Sequence, residues 1–481
     1  MSHLQEIFDR QHTSFRRCAP LPLRKRLEAL DLLLQSVINY QDILIEALQQ
    51  DFGQRSARET RILEIFPLLD EIRHIKRHLR RWMRPRRAPA NWQFLPSRTQ
   101  TIYQPLGVVG IIGAWNYPLL LTLSPLANAI AAGNHVLIKP SEHAPATAEI
   151  IRQLVSEAFP EDYIAVIIGD SELAAAFSAL PFDHILFTGS QNVGKLVMKA
   201  AAENLTPVTL ELGGKSPALV HESFPLATAA DRICSAKFWN AGQTCIAPDY
   251  ALVPATKADA FARECQAALA KRYPQPHSNA DYTHLISHCA HARMQALVDD
   301  AQQHGAQIIQ PDSPPASAAT TRFFPPTLIL GADSSMRVMH EEIFGPILPI
   351  VTYATLDDAL SFINARPRPL ALYYFDRNKS RIRHTLDHTI SGGVTINDCI
   401  FHFVQHDLPF GGVGPSGIGA YHGFEGFKTF SKHKGVLLQS SLVAKFLART
   451  LKPPYTRLSD RTIRFLLGKT TRRPIHKMTL P

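Results

Sequence analysis

Two periods of apolar residues divide the chain. Leu27, Leu30, Leu33, Leu34, Val37 and Ile38 recur at helical spacing, and residues 42–48 continue in kind until Asp51-Phe52-Gly53 supplies a stop. Residues 1–84 therefore read as helices. Pro85, Pro89 and Pro96 punctuate an extended segment that carries Trp92 and Phe94. From Gly107 short apolar runs alternate with helical stretches. Strands are expected at 108–112, 135–138, 164–168, 184–187 and 208–212, and helices at 119–132, 146–159, 171–180 and 193–204. This alternation implies an α/β fold whose parallel sheet is covered on both faces. Its ligands are expected outside the carboxyl ends of the strands. A second α/β block runs from about 213 to 400. Residues 311–321, rich in Pro, Ser and Ala, read as a loop, and 410–417 as a Gly-rich turn.

The stretch 108–133 is apolar and uncharged, yet Asn116, Pro118, Pro125 and Asn128 lie within it. A buried strand, loop and helix explain it better than a membrane span. The 481 residues, 45% hydrophobic, suffice for two or three domains with large cores. Six scattered cysteines, with no CxxC pair, suit a reducing cytoplasm and argue against a zinc ribbon or a disulfide framework. No apolar leader precedes the first helix. The net charge of +10 would suggest nucleic acid, but its position argues otherwise. From Ser440 onward ten Lys and Arg face a single acid, Asp460, so the body is near neutral. The tail reads as a solvated basic face or a subunit contact, with anionic lipid as the alternative.

Several short motifs stand at expected strand ends. Phe187-Thr188-Gly189-Ser190, closing at Gly194, follows a strand and opens a helix, where backbone N–H groups favour a pyrophosphate. Its G-x-x-x-x-G spacing matches neither the usual dinucleotide fingerprint nor a Walker loop, and a purely structural turn is the alternative. Lys139 and Glu142 could hold ribose hydroxyls or could simply end a strand and cap a helix. The Asn116 amide could donate to a developing oxyanion or merely start a helix. Glu211, between Leu210 and Leu212, is a candidate base if burial raises its pKa. Cys245 sits in the small polar run Asn240-Ala241-Gly242-Gln243-Thr244, unlike an inert core cysteine. His284, His288 and His291 share a helical face beside Cys289, but no carboxylate completes a metal set and no metal is expected.

Taken together and in this order, these motifs resemble the aldehyde dehydrogenase superfamily. The resemblance runs from about residue 20 to 435. It rests on Trp115-Asn116-Tyr117-Pro118, Lys139-Pro140-Ser141-Glu142, Phe187-Thr188-Gly189-Ser190, 211–217, 242–245 and 341–346. Residues 409–414 and Tyr421-His422-Gly423 look like the class 3 branch. Residues 405–410 and the basic tail look most similar to its bacterial coniferyl aldehyde dehydrogenases.

The resemblance implies a Rossmann-like NAD(P)-binding domain from 1–84 and 104–211 and an α/β catalytic domain at 212–404. It also implies a bridging oligomerisation element from 85–103 and 405–435, followed by the tail at 436–481. Cys245 would be the nucleophile, Asn116 and the Cys245 N–H the oxyanion donors, and Glu211 the activator of hydrolytic water. Lys139 and Glu142 would bind the adenosine ribose. Gly189, Ser190 and Gly194 would face the pyrophosphate, with Glu342 on the nicotinamide ribose and Phe344 against the ring. Glu142 would crowd a 2′-phosphate, so NAD is expected, with NADP open. The product would be a carboxylic acid released from a Cys thioester. The expected substrate is coniferyl or another hydroxycinnamyl aldehyde, and a medium- or long-chain aliphatic aldehyde is the alternative. Tyr117, Trp239 and Phe401 are the candidate substrate pocket. An acylating variant and a non-catalytic binding protein are the remaining rivals. A cytoplasmic homodimer without a transmembrane anchor is expected.

Overall fold

The computed structural model describes residues 2–18, 20–311 and 321–468. The 311–321 loop reading falls almost wholly outside them, as does the tail beyond 468. The strands in chain order are β1 (Arg86–Ala88), β2 (Arg98–Pro105), β3 (Val108–Ile112), β4 (His135–Lys139), β5 (Ile164–Val166), β6 (His184–Thr188), β7 (Val208–Glu211) and β8 (Pro217–Val220). They continue with β9 (Tyr250–Pro254), β10 (Gln307–Ile309), β11 (Thr327–Leu330), β12 (Ile347–Tyr353), β13 (Ala371–Phe375), β14 (Gly393–Ile396), β15 (Gly417–Ile418) and β16 (Ser431–Leu438).

The described residues fall in two compact units, one within Met1–Trp82 and Gln104–Ser431, the other within Met83–Tyr103 and Lys432–Pro481. The larger holds two sheets. The first has the order β15-β7-β6-β3-β4-β5, parallel except for β15. The chain runs β3 to β4 to β5 on one side, then returns to place β6 on the other flank of β3. Order therefore reverses between β3 and β6, the place where a doubly wound sheet opens a crevice for ligand. β3, β4 and β6 are buried on both faces, which is why they read as unbroken apolar runs rather than alternating ones. The helix Leu120–Ala132 is buried throughout. It accounts for the uncharged 108–133 stretch, and no described helix is long and apolar enough to cross a membrane.

The second sheet has the order β10-β11-β12-β9-β8-β13-β14, parallel except at β10. N-terminal helices Leu23–Asn39, Gln41–Phe52 and Phe66–Trp82 bury one face each, and Gly53 ends the second in a left-handed turn at φ 75°. The segment 405–431 lies within the large unit, because β15 pairs with β7 and Phe410 bridges Tyr421. The smaller unit contains β1 with most of β2 and β16, as well as the helices Ser441–Thr450 and Arg457–Leu467. One expectation is corrected. His284 precedes the helix His288–Gln303 and shares no helical face with His288 and His291. Its backbone N–H donates to the Gln54 carbonyl instead, outside any helix.

Candidate active site

A cavity of about 810 Å³ lies at the carboxyl ends of β3, β4, β6 and β7. Each strand delivers one polar group directly. Asn116 follows β3, Lys139 ends β4, Thr188 ends β6 and Glu211 ends β7. The loops after these strands are tied across the sheet. The Gly113 N–H donates to the Lys139 carbonyl at 3.1 Å, and the Gly189 N–H to the Glu211 carbonyl at 3.0 Å. Ser190 caps the helix Gln191–Ala202, so a helix N-terminus faces the cavity. Gly194 lies one turn in and is not part of the wall. A Cβ there would come within 2.8 Å of Leu212, so its role is to let the helix approach the sheet.

The remaining groups come from long loops. Cys245 lies between the helix Leu226–Phe238 and β9, in a turn where Asn240, Ala241 and Gly242 all have positive φ. Such backbone is costly for non-glycine residues and persists only where its surroundings enforce it. The Asn240 N–H donates to the buried Glu59 carboxylate, and the Asn240 side chain donates to the Asn116 carbonyl at 3.0 Å. Asn116 Nδ2 donates to the Gln243 carbonyl at 3.1 Å, and Tyr117 shares a 2.6 Å hydrogen bond with Thr244. Gln243 in turn donates to the Asn240 and His284 carbonyls. A Cβ at Gly242 would meet the Gly345 carbonyl at 2.2 Å, which fixes glycine there. The thiol loop is thereby locked to the Asn116 loop on one side and to 341–346 on the other.

Glu342 and Phe344 reach the cavity from that last loop, and Phe344 also has positive φ, 47°. Its ring meets Trp115 edge-on at 5.3 Å. A buried charge network holds the loop. Lys215 pairs with Asp249 and donates to the Val338 and Glu341 carbonyls. Asp249 accepts from the Ile343 N–H at 2.9 Å, and Arg293 donates to the Glu342 and Ile343 carbonyls. The Glu342 carboxylate lies against Gly213, where any side chain would collide with it.

The electrostatics follow from burial. Glu211 is 3% exposed and neither of its carboxylate oxygens has a partner, so burial pushes its pKa well above the usual carboxylate range. Burial and then nearby Asp249 raise Glu342 to about 8. The Cys245 thiol is pushed up to about 12, first by burial and then by Glu342 and Glu211. Burial alone would also raise Glu142, but its ion pair with Lys139 outweighs this and holds it below the usual range.

These residues suit a dinucleotide on structural grounds. Thr188 Oγ1 and both Glu211 oxygens are buried cavity-wall atoms without partners. The helix start at Ser190 and the Lys139–Glu142 pair lie on the same cavity, whose volume is in the range of cofactor sites. The cavity thus gathers Cys245, Glu211, Asn116, Lys139, Glu142, Gly189, Ser190, Glu342 and Phe344. Tyr117, Trp239 and Phe401 stand apart from its walls. Tyr117 is buried behind the thiol loop with Arg55 over its ring, while Trp239 and Phe401 pack edge-on at 6.3 Å. Sequence reasoning missed Glu59, Arg293 and the supporting role of Asp249. Each acts on backbone groups far along the chain, and no local pattern marks it.

A doubly wound sheet with a ligand crevice at its switch point, facing a loop-borne thiol and a buried carboxyl, is the architecture of a dinucleotide-linked oxidoreductase. The chain belongs to the aldehyde dehydrogenase family, whose model matches residues 2–436. It is an aldehyde dehydrogenase, and among the solved structures it resembles, at 28% and 25% identity, are a Mycobacterium tuberculosis aldehyde dehydrogenase complexed with NAD+ and a Bacillus halodurans glyceraldehyde-3-phosphate dehydrogenase complexed with NADP. It is 47% identical over 456 residues to the "Probable coniferyl aldehyde dehydrogenase" of Pseudomonas aeruginosa, covering 95% of this chain and 94% of that one. It is 40% identical over 454 residues to the "Coniferyl aldehyde dehydrogenase" of Pseudomonas sp. strain HR199, covering 94% of each. The structure of the substrate-bound state of Staphylococcus aureus AldH superposes with a TM-score of 0.89 at 37% identity, covering 96% of this chain and 99% of that chain.

Proposed function

We propose that this enzyme oxidises coniferyl aldehyde, or a closely related hydroxycinnamyl aldehyde, to the acid. Cys245 is its nucleophile, Asn116 its oxyanion donor and Glu211 its hydrolytic base. The observation that carries the mechanism is the meeting of Cys245, Glu211 and Asn116 in the lining of one cavity, although they come from three different strand ends and loops. The names of the two Pseudomonas relatives support the substrate.

Cys245 sulfur attacks the aldehyde carbon, and the resulting oxyanion is met by the Asn116 amide and the Cys245 N–H. Asn116 is held for this by its bond to the Gln243 carbonyl. NAD(P)+, when bound, would supply a cationic ring and a hydride acceptor for the oxidation. A cation in the cavity favours the thiolate and so counters the burial that keeps the free thiol protonated. Lys139 and Glu142 would hold the adenosine ribose, the helix start at Ser190 would face the pyrophosphate, and Glu342 and Phe344 would hold the nicotinamide end. Glu211 takes a proton from water as its oxygen attacks the thioester. Its side chain lines the cavity that Cys245 also lines. We also propose a cytoplasmic homodimer, which light scattering of purified protein tests for its assembly state.

The deciding experiment follows NADH formation at the expense of coniferyl aldehyde, beside a Cys245→Ala control and an aliphatic aldehyde. Higher kcat/KM for coniferyl aldehyde, lost in the control, is the expected result. A clear preference for the aliphatic aldehyde overturns the substrate while leaving the mechanism intact.

A further inference from the structure

The first chemical step needs the Asn116 amide and the Cys245 thiol in register. Asn116 follows β3 of one sheet, and Cys245 precedes β9 of the other. A misplacement of about 1 Å between such groups can cost on the order of a hundredfold in rate. Outside the cavity lining, a set of buried charges that no step of the mechanism uses connects the two loops.

Arg55 is its centre. The side chain is buried and does not line the cavity. Its Nη1 donates to the Asn116 carbonyl at 3.2 Å, and its Nη2 lies 3.0 Å from Glu64 Oε1. The other Glu64 oxygen accepts from the Leu119 and Leu120 N–H groups at 2.9 and 3.2 Å. Arg55 and Glu64 therefore grip the 116–120 turn at both ends. The guanidinium carbon also lies 4.6 Å from the Phe52 ring and 5.2 Å from the Tyr117 ring. Tyr117 in turn bonds Thr244, the residue before Cys245. The Asn116 carbonyl has a second donor, Asn240 Nδ2 at 3.0 Å, and the Asn240 N–H donates to Glu59. Thr283 donates to that carboxylate at 2.7 Å. One carbonyl oxygen thus receives Arg55 on one side and the thiol loop on the other.

The local backbone is shaped for this. Residues five apart on an α-helix point about 140° away from each other. Here the turn Arg61–Ile65 is π-helical, with the Phe66 N–H donating to the Arg61 carbonyl, and Glu59 and Glu64 are both buried. Such single wide turns recur at functional sites. Stability is a poor reason for a buried ion pair, because apolar groups of the same volume often replace one without loss. We propose that Arg55 is a positioning residue for the reaction, one that sets the Asn116 backbone, and with it the donating amide, against the thiol loop. This rests on Asn116 being the oxyanion donor. Arg55 touches neither substrate nor cofactor and acts through the Asn116 carbonyl.

The test is Arg55→Lys, which keeps a charge opposite Glu64 but lacks the planar fork that also reaches the Asn116 carbonyl. With the better of the two aldehydes above, single-turnover NADH formation should slow about tenfold to a hundredfold. NAD+ affinity, titrated separately, should stay within about twofold of wild type. In an Asn116→Ala background the same substitution should add less than about twofold, because the group it positions is gone. A general weakening of the fold would instead multiply the two losses. Arg55→Met combined with Glu64→Gln leaves no lone buried charge and should show the same slow single turnover and the same lack of additivity, so it carries the test if Arg55→Lys does not fold. A single-turnover rate within about twofold of wild type in either folded variant overturns the proposal. So do losses that multiply with Asn116→Ala, or a fall in NAD+ affinity that matches the fall in rate. Asn116→Ala alone separates the readings: a normal rate there removes the oxyanion donor on which the proposal rests, whereas a slow Asn116→Ala beside a normal Arg55→Lys sinks the positioning role alone.

Discussion

The two sides of the cavity are built on different principles. On the sheet side, Lys139, Thr188 and Glu211 stand at the ends of β4, β6 and β7, placed by the ladder hydrogen bonds of those strands, and Asn116 stands in the loop that follows β3. On the loop side, Cys245 and Glu342 sit among residues with positive φ, held by buried charges that come from elsewhere in the chain. Strand ends are positioned by many small, redundant bonds. Loops of strained backbone depend on a few strong ones. Damage to a support should therefore be felt far more on the loop side.

The largest effect bearing on this contrast is chemical. Cys245→Ala should lower turnover on the order of 10⁴-fold or more while melting like the wild type, which calorimetry beside steady-state assays would check. Next, Asp249→Ala leaves Lys215 buried and unpaired and frees the Ile343 N–H. A loss of about 3–5 kcal/mol is expected in denaturant unfolding. A loss below about 1 kcal/mol would mean that the loop side does not depend on its charge network. Asn116→Ala should slow turnover by about 2.7–4 kcal/mol in activation free energy. Near-normal kcat in that variant would remove Asn116 from the chemistry. Glu59→Gln keeps the size but weakens the bond to the strained Asn240 N–H. We expect about 1–2 kcal/mol of stability to be lost together with slower Cys245 acylation.

The smallest effect tests Glu342, whose folded pKa of about 8 lies above the usual carboxylate value. Between those values the folded state binds more protons than the unfolded chain. Stability contributed by the protonated form is thus complete below the unfolded pKa and lost as pH rises through about 8. Glu342→Gln does not titrate, so its melting-temperature advantage over wild type should grow from acidic to mildly alkaline pH. A constant difference would mean that Glu342 is already ionised in the fold.

Legibility followed the same division. The βαβ alternation located β3, β4, β6 and β7 within a residue or two, because strands buried on both faces must be continuously apolar. Polar residues that close such runs can then only lie at the sheet's ligand edge. The His284 reading failed because helical spacing alone cannot tell that Ser287 caps the helix and leaves His284 outside it. Gly194 fits the phosphate-turn pattern in sequence, but its packing against Leu212 is set by the distance between helix and sheet.

The sequence by itself determined the parallel architecture, which follows from the local apolar period, and its motifs carried the resemblance to the family and the proposed reactive side chains. Only the tertiary structure decided what holds the thiol loop and why the Glu211 pKa is raised. Glu59 and Asn240 are joined across the fold, as are Lys215 and Asp249. Burial and long-range pairing set the energy of each, and neither quantity exists until the chain has closed on itself.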